Sequence, residues 1–267
     1  MAYYLDTNAL RRIKEFTPDM CTSILAIFEL MSGITEEEFN IRQACLKRIA
    51  DQDLKIREPM VDVIFLQLNH YPAQHSNTTA CIRCIFEFLL SCSSYDEFTK
   101  FTIPQFNLNA LSWLRNYDNR ISNITNNSQE IMNGEEEWYI RNLFNNQGLK
   151  GLADHFWQRL CEQRYNDNAL EHVEAFVGQE QVDAAKIAID SMIENYSYKL
   201  FYTAQASIFA EAYINGNEQN RNNPFDLLHL LYFSEDDIMV SDDNIYQKIK
   251  ETSSVFTVIK VDELIAS

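Results

Sequence analysis

The chain has 267 residues, 46% of them apolar and 12% aromatic, which is ample for a packed core and excludes wholesale disorder. Six glycines and five prolines are too few for the turn-rich connections of an all-β protein, and no apolar run reaches the ~18 residues of a membrane-spanning helix. The net charge of −17 repels nucleic acid at long range, although residues 1–57 are nearly balanced, with eight Lys/Arg against nine Asp/Glu.

The opening stretch AYYLDTNALRRIKEF predicts a short buried strand at Tyr3, Tyr4 and Leu5, then an acidic turn at Asp6. Thr7 and Asn8 are helix-start residues, and a short helix follows them. A carboxylate so placed faces the crevice at the carboxyl end of a strand, where open α/β sheets hold their ligands. Arg11, Arg12 and Lys14 lie just beyond, a basic cluster that a polyanion can approach. TPDMCTSILAIFELMSG predicts one helix, with Thr17 as N-cap, Pro18 in the first turn and Gly33 as the stop. Glu29 interrupts its apolar run, on a stripe whose neighbours at helical spacing are the small residues Thr22, Ala26, Ser32 and Gly33. TEEEFNIRQACLKRIADQ reads as a second helix, acids first and bases later, as the helix dipole favours. REPMVDVIFLQLN suits either a helix or a buried strand beginning near Pro59.

From about Thr78 to Asn215 helical patterns follow one another without a fixed repeat period: TTACIRCIFEFLLS, PQFNLNALSWLRNY, EEEWYIRNLFNNQGLKGLADHFWQRLCEQRY and QEQVDAAKIAIDSMIENYSYKLFYTAQASIFAEAYI. Two stretches rich in Asn and Gly, NITNNSQEIMNGEEE and NGNEQNRNN, read as exposed connections. In NNPFDLLHLLYF, Asn223 is a natural N-cap and Pro224 fits the first turn. Asp226 therefore falls in the first turn of a helix, with His229 one turn further along the same face. Strand character returns in DDIMV (236–240) and SVFTVIKV (254–261). The first of these runs into Ser241, Asp242 and Asp243 before a helix, repeating the arrangement around Asp6. The cysteines at 21, 45, 81, 84, 92 and 161 sit in apolar, helix-like contexts. They read as reduced thiols of a cytoplasmic protein, and the CxxC of Cys81 and Cys84 lacks a second pair to complete a zinc set.

Strand signals at both ends with helices between predict an α/β fold: a parallel core from residues 1–70 and 216–267, and a large all-α insertion at 71–215 packed on it. Asp6, Glu29, Asp226 and the acid that follows Ser241 (Asp242 or Asp243) are in positions a divalent-metal site requires. Mg²⁺ or Mn²⁺ prefers such hard oxygen ligands, and carboxylates brought together repel unless a cation lies between them.

The order LDTNAL, TSILAIFEL, a helix-borne Asp, then VSDD resembles the PIN-domain nucleases, which include many bacterial toxin ribonucleases. The resemblance covers residues 3–33 and 222–260, and the helical insertion departs from it because typical PIN domains are much shorter. It implies a PIN-like parallel sheet of few strands flanked by helices. It also implies a site of one or two Mg²⁺ or Mn²⁺ ions on Asp6, Glu29, Asp226 and Asp243 (or Asp242). Asn8, and with it Thr7, would orient Asp6; Ser241 stands where the family often has Thr; and His229 supports Asp226. The implied activity is endoribonuclease cleavage of RNA, with Arg11 and Arg12 holding flanking phosphates, single-stranded DNA as a further substrate, and a role as a toxin or defence effector. The family further implies an antitoxin or other basic protein partner and a homodimer. The alternative from another class is a catalytically degenerate PIN-like scaffold whose acidic surface binds a basic partner.

Overall fold

The computed structural model describes residues 1–68, 77–126, 134–163, 179–216 and 223–266. Five short strands form one sheet: β1 (Tyr3–Leu5), β2 (Met20–Ser23), β3 (Lys55–Arg57), β6 (Ile238–Val240) and β7 (Thr257–Ile259). Their order is β3-β2-β1-β6-β7 and every pairing is parallel. Parallel neighbours need crossover connections, and here these carry the helices that cover the sheet. The fold is α/β and rich in helix. β1 lies at the centre, with Tyr4 beside Cys21 on one side and Met239 on the other. Tyr4, Leu5, Cys21, Met239 and Val240 are buried, as expected where a strand is covered on both faces.

The helix expected over TPDMCTSILAIFELMSG is shorter than the sequence pattern suggests. Met20–Ser23 is the strand β2, held between β1 and β3, and helix α2 (Ile24–Ser32) begins only after it. Ser23, not Thr17, is the N-cap, its hydroxyl accepting the Ala26 N–H at 3.3 Å. A buried apolar run of four residues looks the same as the first turn of a helix until its pairing partners are known. At the start of the chain the helix begins at Thr7, as expected. Asp6 itself caps α1 (Thr7–Arg12) by accepting the Ala9 N–H at 2.8 Å. REPMVDVIFLQLN divides: Arg57 ends β3, and α4 (Val61–Leu68) follows. The second amphipathic pattern is α3 (Phe39–Asp51).

The block between residues 71 and 215 contains α5 (Thr78–Ser91), α6 (Tyr95–Lys100), α7 (Ala110–Asn126), α8 (Gly134–Gln163), α9 (Gln179–Glu194) and α10 (Tyr196–Ile214). It is not purely helical, because Thr102–Ile103 (β4) pairs antiparallel with Leu108–Asn109 (β5). Two helical stretches read as continuous are interrupted. Gly148 takes φ +64° within α8, a left-handed conformation that other residues rarely adopt. Asn195 separates α9 from α10 by capping the latter, its side chain accepting the Tyr198 N–H at 2.8 Å. Of the two expected Asn-rich connections, residues 127–133 and 217–222 lie outside the described residues, while the ends of the first, 123–126 and 134–137, belong to α7 and α8 instead of a loop.

These helices share the core of the sheet. α2 packs on α1, α3, α5 and α7. The main apolar cluster runs from Tyr4, Leu25 and Phe28 through Ile82, Leu89 and Leu114 to Phe201 and Ala204. α10 also touches α11 (Asn223–Leu228), the 3₁₀ turn His229–Tyr232 and α12 (Asn244–Thr252). A last helix, α13 (Val261–Ala266), follows β7. No helix among the described residues is long and apolar enough to cross a membrane.

Candidate functional site

The chain leaves β1 toward β2 on one side and has β6 on the other, so the strand order reverses at β1. Ligand crevices of open α/β sheets form outside the carboxyl ends of the strands at such a reversal. Leu5 ends β1 and Val240 ends β6, the two paired in register, so Asp6 and Ser241 emerge side by side. The Ser241 hydroxyl donates to Asp6 Oδ2 and accepts the Asp243 N–H at 3.0 Å. Asn8 Nδ2 donates to Asp243 Oδ2 at 2.7 Å. The first and last acids, 237 positions apart in sequence, are thus joined through one hydroxyl and one amide.

Glu29 enters from α2. The Thr7 hydroxyl donates to its Oε2, and His229 Nε2 lies 2.9 Å from the same atom. His229 is buried, and its Nδ1 is 2.8 Å from the Tyr4 hydroxyl, which donates to Ser23 Oγ at 2.7 Å. With Tyr4 donating to Ser23, this chain is complete only when both imidazole nitrogens carry protons. Burial pulls the His229 pKa down, but the charge and hydrogen bond of Glu29 outweigh it and the pKa is raised. The hydrogen-bond geometry and the raised pKa both favour the charged form of His229 beside Glu29.

Two of the acids resist ionisation. Burial pushes Asp6 up to about 7, against the hydrogen bonds from Ser241 and Ala9 and the nearby His229. Burial pushes Asp226 up to about 8, reinforced by the charges of Glu29, Asp243 and Asp6 and opposed by His229. Asp226 lies in the first turn of α11, whose position is fixed by the buried Tyr246 hydroxyl donating to the Asp226 carbonyl at 3.0 Å.

Several expected placements change. Asn8 and Thr7 do not orient Asp6; they hold Asp243 and Glu29, and Asp6 is held instead by Ser241 and Ala9. His229 is not a helix-face companion of Asp226. The chain tightens into the 3₁₀ turn at this point, which directs the ring to Glu29 and Tyr4. Asp242 is exposed and turned outward, pairing with Arg12 and accepting the Val261 N–H at 3.3 Å, whereas Asp243 faces the other acids. Arg12 also pairs with Asp262, and Arg11 with Glu38 at 3.5 Å, so both guanidinium groups face carboxylates of the protein.

The four acids lie within electrostatic reach of one another, but among the described residues no three side chains converge as ready-made metal ligands. The reason is visible in their partners. Glu29 turns toward His229 and Thr7, Asp243 toward Asn8, and Asp6 toward Ser241. The donor set is nonetheless oxygen-rich, and two of its members carry a burial penalty that a bound cation would relieve. Tyr4 and Ser23 escaped the sequence reading. A tyrosine in a strand buried on both faces needs a partner for its hydroxyl, and that requirement is the signal that points to them. No family model, no curated protein and no solved structure matches this chain.

Proposed function

We propose that the protein is a metal-dependent phosphodiesterase of PIN-like type that cleaves RNA. The observation that carries this reading is the pairing of Asp6 with the Ser241–Asp243 turn across the point where the parallel strand order reverses. Glu29 and Asp226 complete an acidic group around that point.

Asp6, Glu29, Asp226 and Asp243 would hold Mg²⁺ or Mn²⁺, which supplies a nucleophilic water and offsets charge at the scissile phosphate. The residues of the chain prepare that environment. Ser241 fixes the rotamer of Asp6, Asn8 fixes that of Asp243, and Thr7 with His229 keeps Glu29 at the crevice. Burial keeps bulk water from Asp6, so its charge is weakly screened. In-line attack of water on phosphorus with loss of the 3′ oxygen leaves a 5′-phosphate and a 3′-hydroxyl.

The test is cleavage of single-stranded RNA with Mg²⁺ or Mn²⁺, comparing wild type with Asp6→Asn. Loss of at least about 100-fold in the variant is expected, because even partners of metal ligands are worth 10–100-fold, together with full loss in EDTA. Activity that survives both treatments refutes the assignment. The second reading, a non-catalytic scaffold for a basic partner, draws on the −17 net charge and on the engagement of Glu29 and Asp243 by neighbouring donors. Its expected signature is a stable complex with a basic protein and no cleavage of any nucleic acid.

A further inference from the structure

A separate cavity of about 270 Å³ opens between α4, α7 and α10, with Leu228 of α11 in its wall. It is walled by five aromatic rings: Phe65, Tyr117, Tyr198, Phe201 and Tyr202. Several are already arranged in ring contacts, with Tyr198 stacked on Tyr202 at 6.1 Å and Phe65 edge-on to Phe201 at 6.0 Å. An unfilled flaw in a core has apolar walls. Most of this cavity's wall is apolar too, but Asp62, Gln205 and the exposed Arg120 also line it, the small number of polar groups that orient a ligand in such a pocket. The Asp62 carboxylate is fixed in place, with the Tyr117 hydroxyl donating to Oδ1 at 3.0 Å and the Thr78 hydroxyl to Oδ2 at 2.7 Å.

We propose that this cavity binds one nucleobase, guanine by preference, with its phosphate directed to Arg120. Flat aromatic walls suit a planar base, since every base offers a π-face to stack. The volume lies just below the range of about 300–1,000 Å³ for ligand pockets, which suits a single base rather than a stacked pair. An ionised carboxylate only accepts hydrogen bonds, so Asp62 selects an edge that donates and repels phosphate. Guanine presents N1–H and N2–H₂ side by side. Adenine and cytosine each set one amino group beside an acceptor, and uracil offers a lone imide N–H. The Gln205 amide both donates and accepts, which suits the remaining polar atoms of the base.

The cavity wall and the acidic site are linked through adjoining residues. Leu228 lies between Asp226 and His229, and the Tyr117 ring packs edge-on at 5.3 Å against Phe28, the residue before Glu29. A base held here belongs to the strand presented to the acids, and this last step alone rests on the nuclease reading.

The experiment is calorimetric titration of the full chain with GMP, AMP, CMP and UMP in EDTA. GMP is expected to bind at least about tenfold tighter than the others, the worth of a hydrogen bond to a charged group. Tyr202→Ala is expected to weaken GMP by about tenfold, the worth of one stacking ring, and Asp62→Asn by a similar factor. Because Asp62 also holds Tyr117 and Thr78, the exposed Arg120→Ala provides a second variant, which should weaken GMP but not guanosine. No binding of GMP, equal binding of all four nucleotides, or indifference to both Asp62→Asn and Arg120→Ala overturns the proposal. GMP binding without RNA cleavage leaves the pocket standing and removes the nuclease reading. RNA cleavage without GMP binding does the reverse.

Discussion

Replacing Asp6 with asparagine separates the role of this residue in folding from its role in chemistry. Its carboxyl group titrates near 7 in the folded chain instead of its usual 3.8, with burial as the main cause. The folded pKa is above the unfolded one, so the contribution of this group to stability is complete below pH 3.8 and is lost as pH rises through about 7. The interval corresponds to roughly 4 kcal/mol carried against folding above pH 8 in the cation-free protein. Asparagine removes the charge and keeps an acceptor for the Ala9 N–H, but it leaves the Ser241 hydroxyl without its acceptor, a loss of about 1–2 kcal/mol. The net expectation at pH 8 in EDTA is a stabilisation of about 2–3 kcal/mol, or about 4–12 °C in Tm for a chain of this size. At pH 4.5 the advantage should vanish or reverse. Thermal melts of both proteins from pH 4.5 to 8.5 measure it. A difference in Tm that does not change with pH, or a variant less stable than wild type at pH 8, refutes the claim that burial destabilises the ionised form of Asp6.

Two further changes probe the frame around the site. Arg57 donates to both oxygens of Asp237 and to the Tyr232 carbonyl at 2.6 Å, and Asp237 is buried. Arg57→Ala should destabilise by about 3–5 kcal/mol in urea denaturation, because it strands a buried charge. Burial raises the Asp237 pKa but Arg57 and the Ser234 N–H outweigh it, so the deficit should shrink as pH falls below the ordinary Asp value. Tyr4→Phe removes the hydroxyl that links Ser23 to His229 and should lower stability by about 1–3 kcal/mol. An unchanged denaturation midpoint in that variant would argue against the buried chain from Ser23 to Glu29.

Asp6, at the end of YYL, could be identified from local sequence because a strand-prone run followed by an acid and helix-start residues encodes a strand-end turn within a few residues. The same holds for Ser241–Asp243 after IMV, for Asp226 in a first helical turn, and for the α/β pattern with its helical middle. Local signals of this kind depend only on neighbours along the chain. The strand β2 was hidden because MCTS becomes a strand only through β1 and β3 on either side of it. The partners of the acids were hidden for a similar reason. Which carboxylate Asn8, Thr7 or His229 holds depends on the register of β1 against β6 and on the tightening of residues 229–232 into a 3₁₀ turn. The outward turn of Asp242 follows from Arg12 and α13, elements 230 and 19 residues away. Sequence determined which residues are acidic and which end their strands. Tertiary structure decided which of them face one another, because hydrogen bonds and burial act between neighbours in space, and parallel pairing brings together segments far apart in the chain.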